Sequence, residues 1–131
     1  MNIEDKILKA AHDIFLFYGY HGSTLQLIAT KSMVNKSIIH YYFRSKEKLY
    51  SKFIASVFDY LVSTDFTYFE NLEENRNILW FLTTEQYNNK ILFEKTLTNL
   101  YPDDIESRKN YINKWIEIVS LYHLNRFELK K

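Results

Sequence analysis

Apolar residues recur every three or four positions through most of the chain, which is the spacing of an α-helix with one buried face. The first such segment covers about residues 3–18, with apolar side chains at Ile7, Leu8, Ala11, Ile14, Phe15 and Tyr18. Glu4 and Asp5 lie in its first turn, where acidic groups stabilise the helix dipole. Gly19 is suited to end this helix in a left-handed conformation. The pattern therefore predicts an amphipathic helix at the start of the chain.

Two short helices are predicted next. The first spans residues 25–32, is capped by Ser23 or Thr24, and buries Leu25, Ile28 and Ala29. Residues 33–35 form a tight connection, and Asn35 is suited to cap a second helix that begins at Lys36. Its expected inward residues are Ile38, Ile39 and either Tyr42 or Phe43. Two short helices joined in this way form a helix-turn-helix, a unit that can place its second helix in a DNA major groove.

A longer fourth helix is predicted after the cap residue Ser45. Its apolar row is Leu49, Phe53, Val57, Tyr60 and Leu61. The periodicity weakens after Thr64, resumes over residues 78–100, and stops at Pro102, the only proline. A last helix over about residues 103–128 has a wide apolar face. We predict an all-α fold, with a three-helix head at residues 1–46 and a short helical bundle, the body, at residues 47–131.

Composition agrees with a helical protein that has a basic head. Hydrophobic residues make up 47% of the chain, whereas glycine and proline together number three, too few turn residues for a many-stranded sheet. Residues 1–55 contain eight basic and four acidic side chains, a net charge of +4, and the rest carries −3. A basic part followed by an acidic part suits a phosphate-binding head on a body that does not touch DNA.

The same composition argues against an enzyme, a metal site and a cofactor site. The chain contains no cysteine, and its four histidines show no metal-ligand spacing. The acidic cluster at residues 103–106 lies at a helix start, where carboxylates act as caps, and two glycines cannot build a phosphate-cradling loop. The N-terminus is unlike a signal peptide, and no apolar run has membrane-spanning length. We therefore expect a soluble cytoplasmic protein without a membrane partner.

Residues 5–50 resemble the N-terminal DNA-binding domain of the TetR family of bacterial transcriptional regulators. The matching positions are Ala10, Ala11, Phe15, Gly19, Tyr20, Ser23, Thr24, Ile28, Ala29, Val34, Lys36, Tyr42, Phe43, Ser45, Lys46 and Glu47. The resemblance runs without a gap over four helices. It implies a homodimer, paired through its C-terminal helices, that binds a palindromic operator in double-stranded DNA. It also implies a regulator, most often a repressor, that a small apolar effector releases from DNA.

The resemblance assigns DNA contacts to Thr24, Lys36, Ser37, Ile38, His40, Tyr41, Tyr42 and Lys46. Lys36 and Lys46 lie at helix N-termini, where a lysine opposes the helix dipole but suits a phosphate. Thr24 can cap its helix and also offer its hydroxyl and N–H to a phosphate. Ile38 either touches a thymine methyl or belongs to the core, and His40 touches a phosphate, packs inward, or does both.

The body offers a weaker expectation. Aromatic residues that could line an effector pocket are Trp80, Phe81, Tyr87, Phe93, Trp115 and Tyr122, although aromatics at helical spacing also form ordinary cores. The body is short for the family, so it is trimmed, or its pocket is small or absent. Met33, Ser37, Ile38 and His40 also depart from the family's usual residues. These departures leave an alternative open, a TetR-like protein-interaction module that has lost operator binding.

Overall fold

The computed structural model describes residues 2–65, 69–88 and 90–130, and these residues form helices and connecting turns without a β-strand. Eight helices occur within them: α1 Ile3–Gly22, α2 Leu25–Ser32, α3 Lys36–Phe43, α4 Lys46–Ser63, α5 Phe69–Glu74, α6 Arg76–Asn88, α7 Lys90–Leu100 and α8 Ile105–Lys130. Contacts divide the chain into a head unit, Met1–Ala55, and a body unit, Ser56–Lys131. The all-α prediction is confirmed, and the first turns of α4 pack with the head unit.

Helix α1 begins and bends as its sequence requires. The Asn2 side chain accepts a hydrogen bond from the Asp5 N–H, which caps the helix. We predicted that the helix ends at Gly19, but it bends there, at φ 73° and ψ −177°, and continues to Gly22. The buried Ser23 hydroxyl lies 2.5 Å from the Gly19 carbonyl oxygen and 3.2 Å from that of Ile14. This hydroxyl satisfies carbonyl groups that the bend removes from the helical hydrogen-bond pattern.

The predicted helix-turn-helix is present, with α2 and α3 at the expected residues. Thr24 caps α2, because its hydroxyl oxygen accepts a hydrogen bond from the Leu27 N–H at 3.0 Å. Met33 ends α2 in the left-handed conformation, at φ 58° and ψ 38°, and its N–H reaches the carbonyls of Ala29 and Thr30. The turn therefore uses a backbone conformation that glycine adopts at lower cost than methionine.

The connection from α3 to α4 is a γ-turn centred on Arg44. Its φ of 68° and ψ of −41° are unusual for a residue other than glycine. The Ser45 N–H donates to the Phe43 carbonyl at 2.7 Å, which closes the turn. Ser45 then caps α4, as predicted, by accepting a hydrogen bond from the Lys48 N–H. The tight turn fixes where α4 begins relative to the end of α3.

Aromatic side chains fill the core of the head unit. The Phe15 ring lies 5.1 Å from that of Tyr50 and 5.5 Å from that of Phe53, measured between centroids. Phe15 and Tyr50 are fully buried, and Ile7, Ile28 and Ile39 complete the centre. Each such side chain contributes about 1.5–3 kcal/mol through burial alone. This core fixes α1, α2 and α3 relative to one another and so positions the exposed side chains of α3.

The body unit packs α6 against both α7 and α8, and α5 against α6 and α8. Its buried residues include Leu79, Phe81, Leu82, Leu97, Trp115, Ile118 and Val119. Residues 101–104 form the predicted break around Pro102, and Asp104 caps α8 by accepting from the Ser107 N–H at 3.0 Å. Helix α6 ends at Asn88, and residue 89 lies outside the described residues.

Tyr60 departs from the buried row predicted for α4. Its side chain is 41% exposed, and its hydroxyl donates to the Asn75 side-chain oxygen at 2.8 Å. A tyrosine suits a partly exposed position on a helix, because its ring covers apolar surface while its hydroxyl hydrogen-bonds to a polar group.

No helix in the described residues is both long and apolar enough to cross a membrane.

Candidate nucleic-acid interface

Helix α3 has one buried side and one exposed side. Ile39 and Phe43 are buried and fix the helix to the head unit. The opposite side exposes Lys36, Ser37, His40, Tyr41 and Tyr42. Since residues three and four apart lie on the same side of a helix, Lys36, Ser37, His40 and Tyr41 form one outward row. This row contains a cation, a hydroxyl, an imidazole and a phenol, all of which can hydrogen-bond to a nucleic acid.

The two tyrosines give α3 a large aromatic surface. Tyr41 is 69% exposed, and the rings of Tyr41 and Tyr42 meet edge to face, 5.2 Å apart. A phenol offers a partner both an apolar ring and a hydroxyl that can hydrogen-bond. Ile38 is only half-buried, so its side chain touches the head unit but keeps part of its surface open. The alternative in which Tyr42 faces inward is excluded, because Phe43 takes that position.

His40 lies near the end of α3 and points to solvent. Its Nδ1 atom is 3.3 Å from the Arg44 carbonyl oxygen, and the side chain as a whole is exposed. Of the alternatives left open for His40, packing in the core does not agree with this exposure. Arg44, which sequence reasoning did not select, follows directly and is also exposed. The feature of the sequence that could have identified Arg44 is a positive charge directly after the second helix of the motif.

Helix starts add backbone donors to this surface. Thr24 is exposed at the start of α2, and the N–H groups of a first helical turn point away from the helix and favour anions. Asn35 occupies the predicted N-cap position of α3, but its side chain makes no capping hydrogen bond. The first N–H groups of α3 therefore receive no side-chain cap, and Lys36 begins the same turn. Both helix starts are chemically suited to phosphate oxygens.

Lys46 has a different environment from Lys36. Its Nζ donates to the Ser23 carbonyl oxygen at 2.9 Å and lies 4.2 Å from the centroid of the Tyr20 ring. Partial burial lowers the pKa of the Lys46 ammonium, and burial also raises the pKa of the Tyr20 hydroxyl, with Glu47 adding to that effect. The sequence predicted two similar cations, but only Lys36 extends freely from the head unit.

Of the six residues predicted for an effector pocket, the four whose side chains are described differ in exposure. Trp80 is 62% exposed, whereas Phe81 and Trp115 are buried in the core of the body unit. Tyr122 is half-buried, and the side chains of Tyr87 and Phe93 lie outside the described part of the structure. A shallow cavity of about 290 Å³ lies between α7 and α8. Its lining is Glu94, Leu97, Thr98, Ile105, Arg108, Lys109 and Ile112.

Metal binding finds no support in the described residues, where no three histidine, aspartate or glutamate side chains converge. His12 lies beside Asp13 at 3.5 Å and packs edge to face on Phe53 at 5.4 Å. These contacts indicate a structural role for His12 in α1.

Curated proteins similar to this chain are transcriptional regulators that match its N-terminal part. IcaR of Staphylococcus aureus strain Newman, a negative transcriptional regulator of the biofilm operon icaADBC, is 37% identical over 59 residues, covering 45% of this chain and 32% of IcaR. RutR of Escherichia coli K12 is 43% identical over 53 residues, covering 40% of this chain and 25% of RutR. The chain thus spans about a third or less of the length of these relatives.

A solved structure extends the likeness in fold to the body. A linker-substituted mutant of HlyIIR superposes with a TM-score of 0.57 at 23% identity, covering 94% of this chain and 71% of the HlyIIR chain. At this identity the match concerns the fold alone, and it supports the order of a helix-turn-helix followed by further helices.

The model of the N-terminal domain described as "Bacterial regulatory proteins, tetR family" matches residues 7–52. That stretch contains most of α1, all of α2 and α3, and the first turns of α4. This family consists of regulators of transcription rather than enzymes, in agreement with the lack of a catalytic motif. Residues 7–52 of this chain therefore match the N-terminal domain of the tetR family of bacterial regulatory proteins.

Proposed function

We propose that this protein regulates transcription by binding duplex DNA in the cytoplasm, with α3 in the major groove. The observation that carries this proposal is the outward row of α3, which exposes Lys36, Ser37, His40 and Tyr41 while Ile39 and Phe43 anchor the helix. A helix of this kind is narrow enough to enter the groove, and its exposed groups are those that read bases and phosphates.

The proposed contacts divide between phosphates and bases. Thr24 and Lys36 would hold phosphates, because both lie at helix starts and are exposed. Ser37 and Tyr41 would meet base edges, and the open part of Ile38 would meet a thymine methyl. His40 and Tyr42 would bind the phosphates beyond the end of α3, together with Arg44. Phosphate contacts would set affinity and register, and base contacts would set the operator sequence.

We further propose a homodimer that binds a palindromic operator. Helix α8 exposes the apolar side chains of Ile105 and Ile116, 58% and 50% respectively, which supports pairing with a second copy. A two-fold dimer would present two copies of α3 to half-sites about 34–36 Å apart. By analogy with IcaR, whose name describes a negative regulator, the effect on transcription would be repression. A small apolar effector bound in the body would release the repressor from DNA.

Selection of bound duplexes from a random pool tests sequence-specific binding and dimer symmetry together. A palindromic consensus is expected, since a two-fold dimer reads the same half-site twice. A consensus without a repeat would remove the dimer from the proposal. Absence of duplex binding even at low salt would remove DNA binding itself and favour the protein-interaction module.

A salt titration of the selected duplex tests the role of Lys36. Each neutralised phosphate contributes about 0.9 to the slope of log affinity against log salt concentration. Lys36→Ala should reduce that slope by about 0.9 per bound head. Lys52→Ala is the matched control, because Lys52 is an exposed lysine of the head unit on α4. An unchanged slope for Lys36→Ala would contradict the phosphate contact.

A further inference from the structure

We propose that Lys46 is a positioning residue, which holds the junction between α1 and α2 so that Thr24 presents the start of α2 to a DNA phosphate. In this role Lys46 acts through the Ser23–Thr24 peptide and does not neutralise a phosphate itself. The inference rests on the proposed DNA binding, and it assigns different functions to two lysines that each begin a helix.

The contact geometry connects Lys46 to Thr24 through one rigid unit. The Lys46 Nζ donates to the Ser23 carbonyl oxygen at 2.9 Å. That oxygen belongs to the same planar peptide group as the Thr24 nitrogen, so fixing the oxygen fixes the plane in which Thr24 begins. Thr24 is the cap of α2, through the 3.0 Å hydrogen bond from the Leu27 N–H. A change in the orientation of this peptide would therefore move the cap.

The other side of the junction is held as firmly. Ser23 is 1% exposed, its N–H donates to the Tyr20 carbonyl at 3.3 Å, and its hydroxyl reaches the Gly19 carbonyl. These contacts tie the junction to α1, whereas the Lys46 contact ties it to α4. Lys46 thus makes a bond between the first residue of α4 and the residue that precedes the α2 cap.

The ammonium of Lys46 is placed for an internal role. One donor is used by the Ser23 carbonyl, and the Tyr20 ring covers the ammonium at 4.2 Å. Partial burial lowers its pKa, as expected for a cation removed from part of its water shell. Lys36, by contrast, is exposed and makes no ion pair among the residues described here.

Duplex binding by Lys46→Met and Lys36→Met separates positioning from direct contact. Methionine keeps much of the lysine stem but removes the charge and the donors. For Lys46→Met, affinity should fall roughly tenfold at every salt concentration, because a hydrogen bond from a charged donor is lost, and the salt slope should not change. For Lys36→Met, the slope should fall by about 0.9 per bound head. An equal loss of slope in Lys46→Met, or an unchanged affinity, would overturn the proposal.

A double-mutant cycle with Thr24→Val tests the route of the effect. If Lys46 acts through Thr24, then Lys46→Met should cost little in a protein that already lacks the Thr24 hydroxyl. Fully additive losses of affinity would contradict this route. Lys52→Met, which changes an exposed lysine elsewhere on α4, should leave affinity unchanged in both backgrounds.

Amide hydrogen exchange tests the same role without DNA. The Leu27 N–H, which the Thr24 hydroxyl caps, should exchange several-fold faster in Lys46→Met and at the normal rate in Lys36→Met. Unchanged exchange at Leu27 would overturn the positioning role even if DNA binding is confirmed. Faster exchange in a protein that binds no duplex would instead support positioning and refute only the proposed function.

Discussion

Met33 should limit the stability of the head unit, because it holds a left-handed conformation with an L side chain. Its φ is 58° and its ψ is 38°, and 89% of its surface is exposed. The left-handed region costs an L residue about 1–2 kcal/mol relative to the right-handed one. Since the side chain is mostly in solvent, its removal sacrifices little packing.

Met33→Gly should therefore stabilise the head unit by roughly 0.5–1 kcal/mol. The relief of about 1–2 kcal/mol is reduced by about 0.4–1 kcal/mol, because glycine gives the unfolded chain more conformations. Met33→Ala is the matched control, since alanine removes the thioether but keeps the Cβ atom that causes the strain. Alanine should leave the free energy of unfolding within about 0.5 kcal/mol of that of the parent protein.

Native-state hydrogen exchange provides an assay that reports on the head unit within the full chain. The Ile28 N–H donates to the Thr24 carbonyl, and the Ile39 N–H to that of Asn35. Protection of these two amides should rise roughly two- to fivefold in Met33→Gly. A fall in protection, or an equal rise in Met33→Ala, would refute the argument from backbone strain.

Three further changes have defined outcomes. Phe15→Ala should lower the free energy of unfolding of the head unit by about 3–5 kcal/mol, measured by urea denaturation, because the ring is fully buried, and a loss below about 1 kcal/mol would contradict this. A hydrogen bond with Tyr101 and burial raise the pKa of Tyr111, whereas an unfolded tyrosine ionises near about pH 10, so the stability from Tyr111 should disappear as pH rises above that value. Tyr111→Phe should weaken the fall in the urea midpoint at high pH, and an unaltered pH profile would disprove the link. Arg44→Gly should raise thermal stability, because the φ of 68° at this position favours glycine. The same change should lower both the affinity for duplex DNA and the salt dependence of that affinity. Unchanged affinity would remove Arg44 from the proposed interface.

The head could be predicted in detail because its signals are local. Caps at Thr24 and Ser45, the short apolar rows and the break at residues 33–35 each depend on a few neighbouring residues. The bend at Gly19 was missed for a physical reason. Glycine normally ends a helix, but here the hydroxyl of Ser23, four residues later, satisfies the interrupted carbonyls and lets the helix resume. The pattern of residues does not reveal that a side chain will return to that position.

The roles of Lys36 and Lys46 show where sequence reasoning about a charged surface stops. Both are lysines at the first position of a helix, so composition and spacing assign them the same function. What separates them is a contact over 23 positions, from the Lys46 ammonium to the Ser23 carbonyl, with the Tyr20 ring beside it. A lysine ammonium can donate to a carbonyl or to a phosphate, and the choice depends on which of them the fold places within its reach. Since Lys46 is proposed to act through the Ser23 carbonyl and Lys36 through a phosphate, the salt dependence of binding distinguishes the two lysines experimentally.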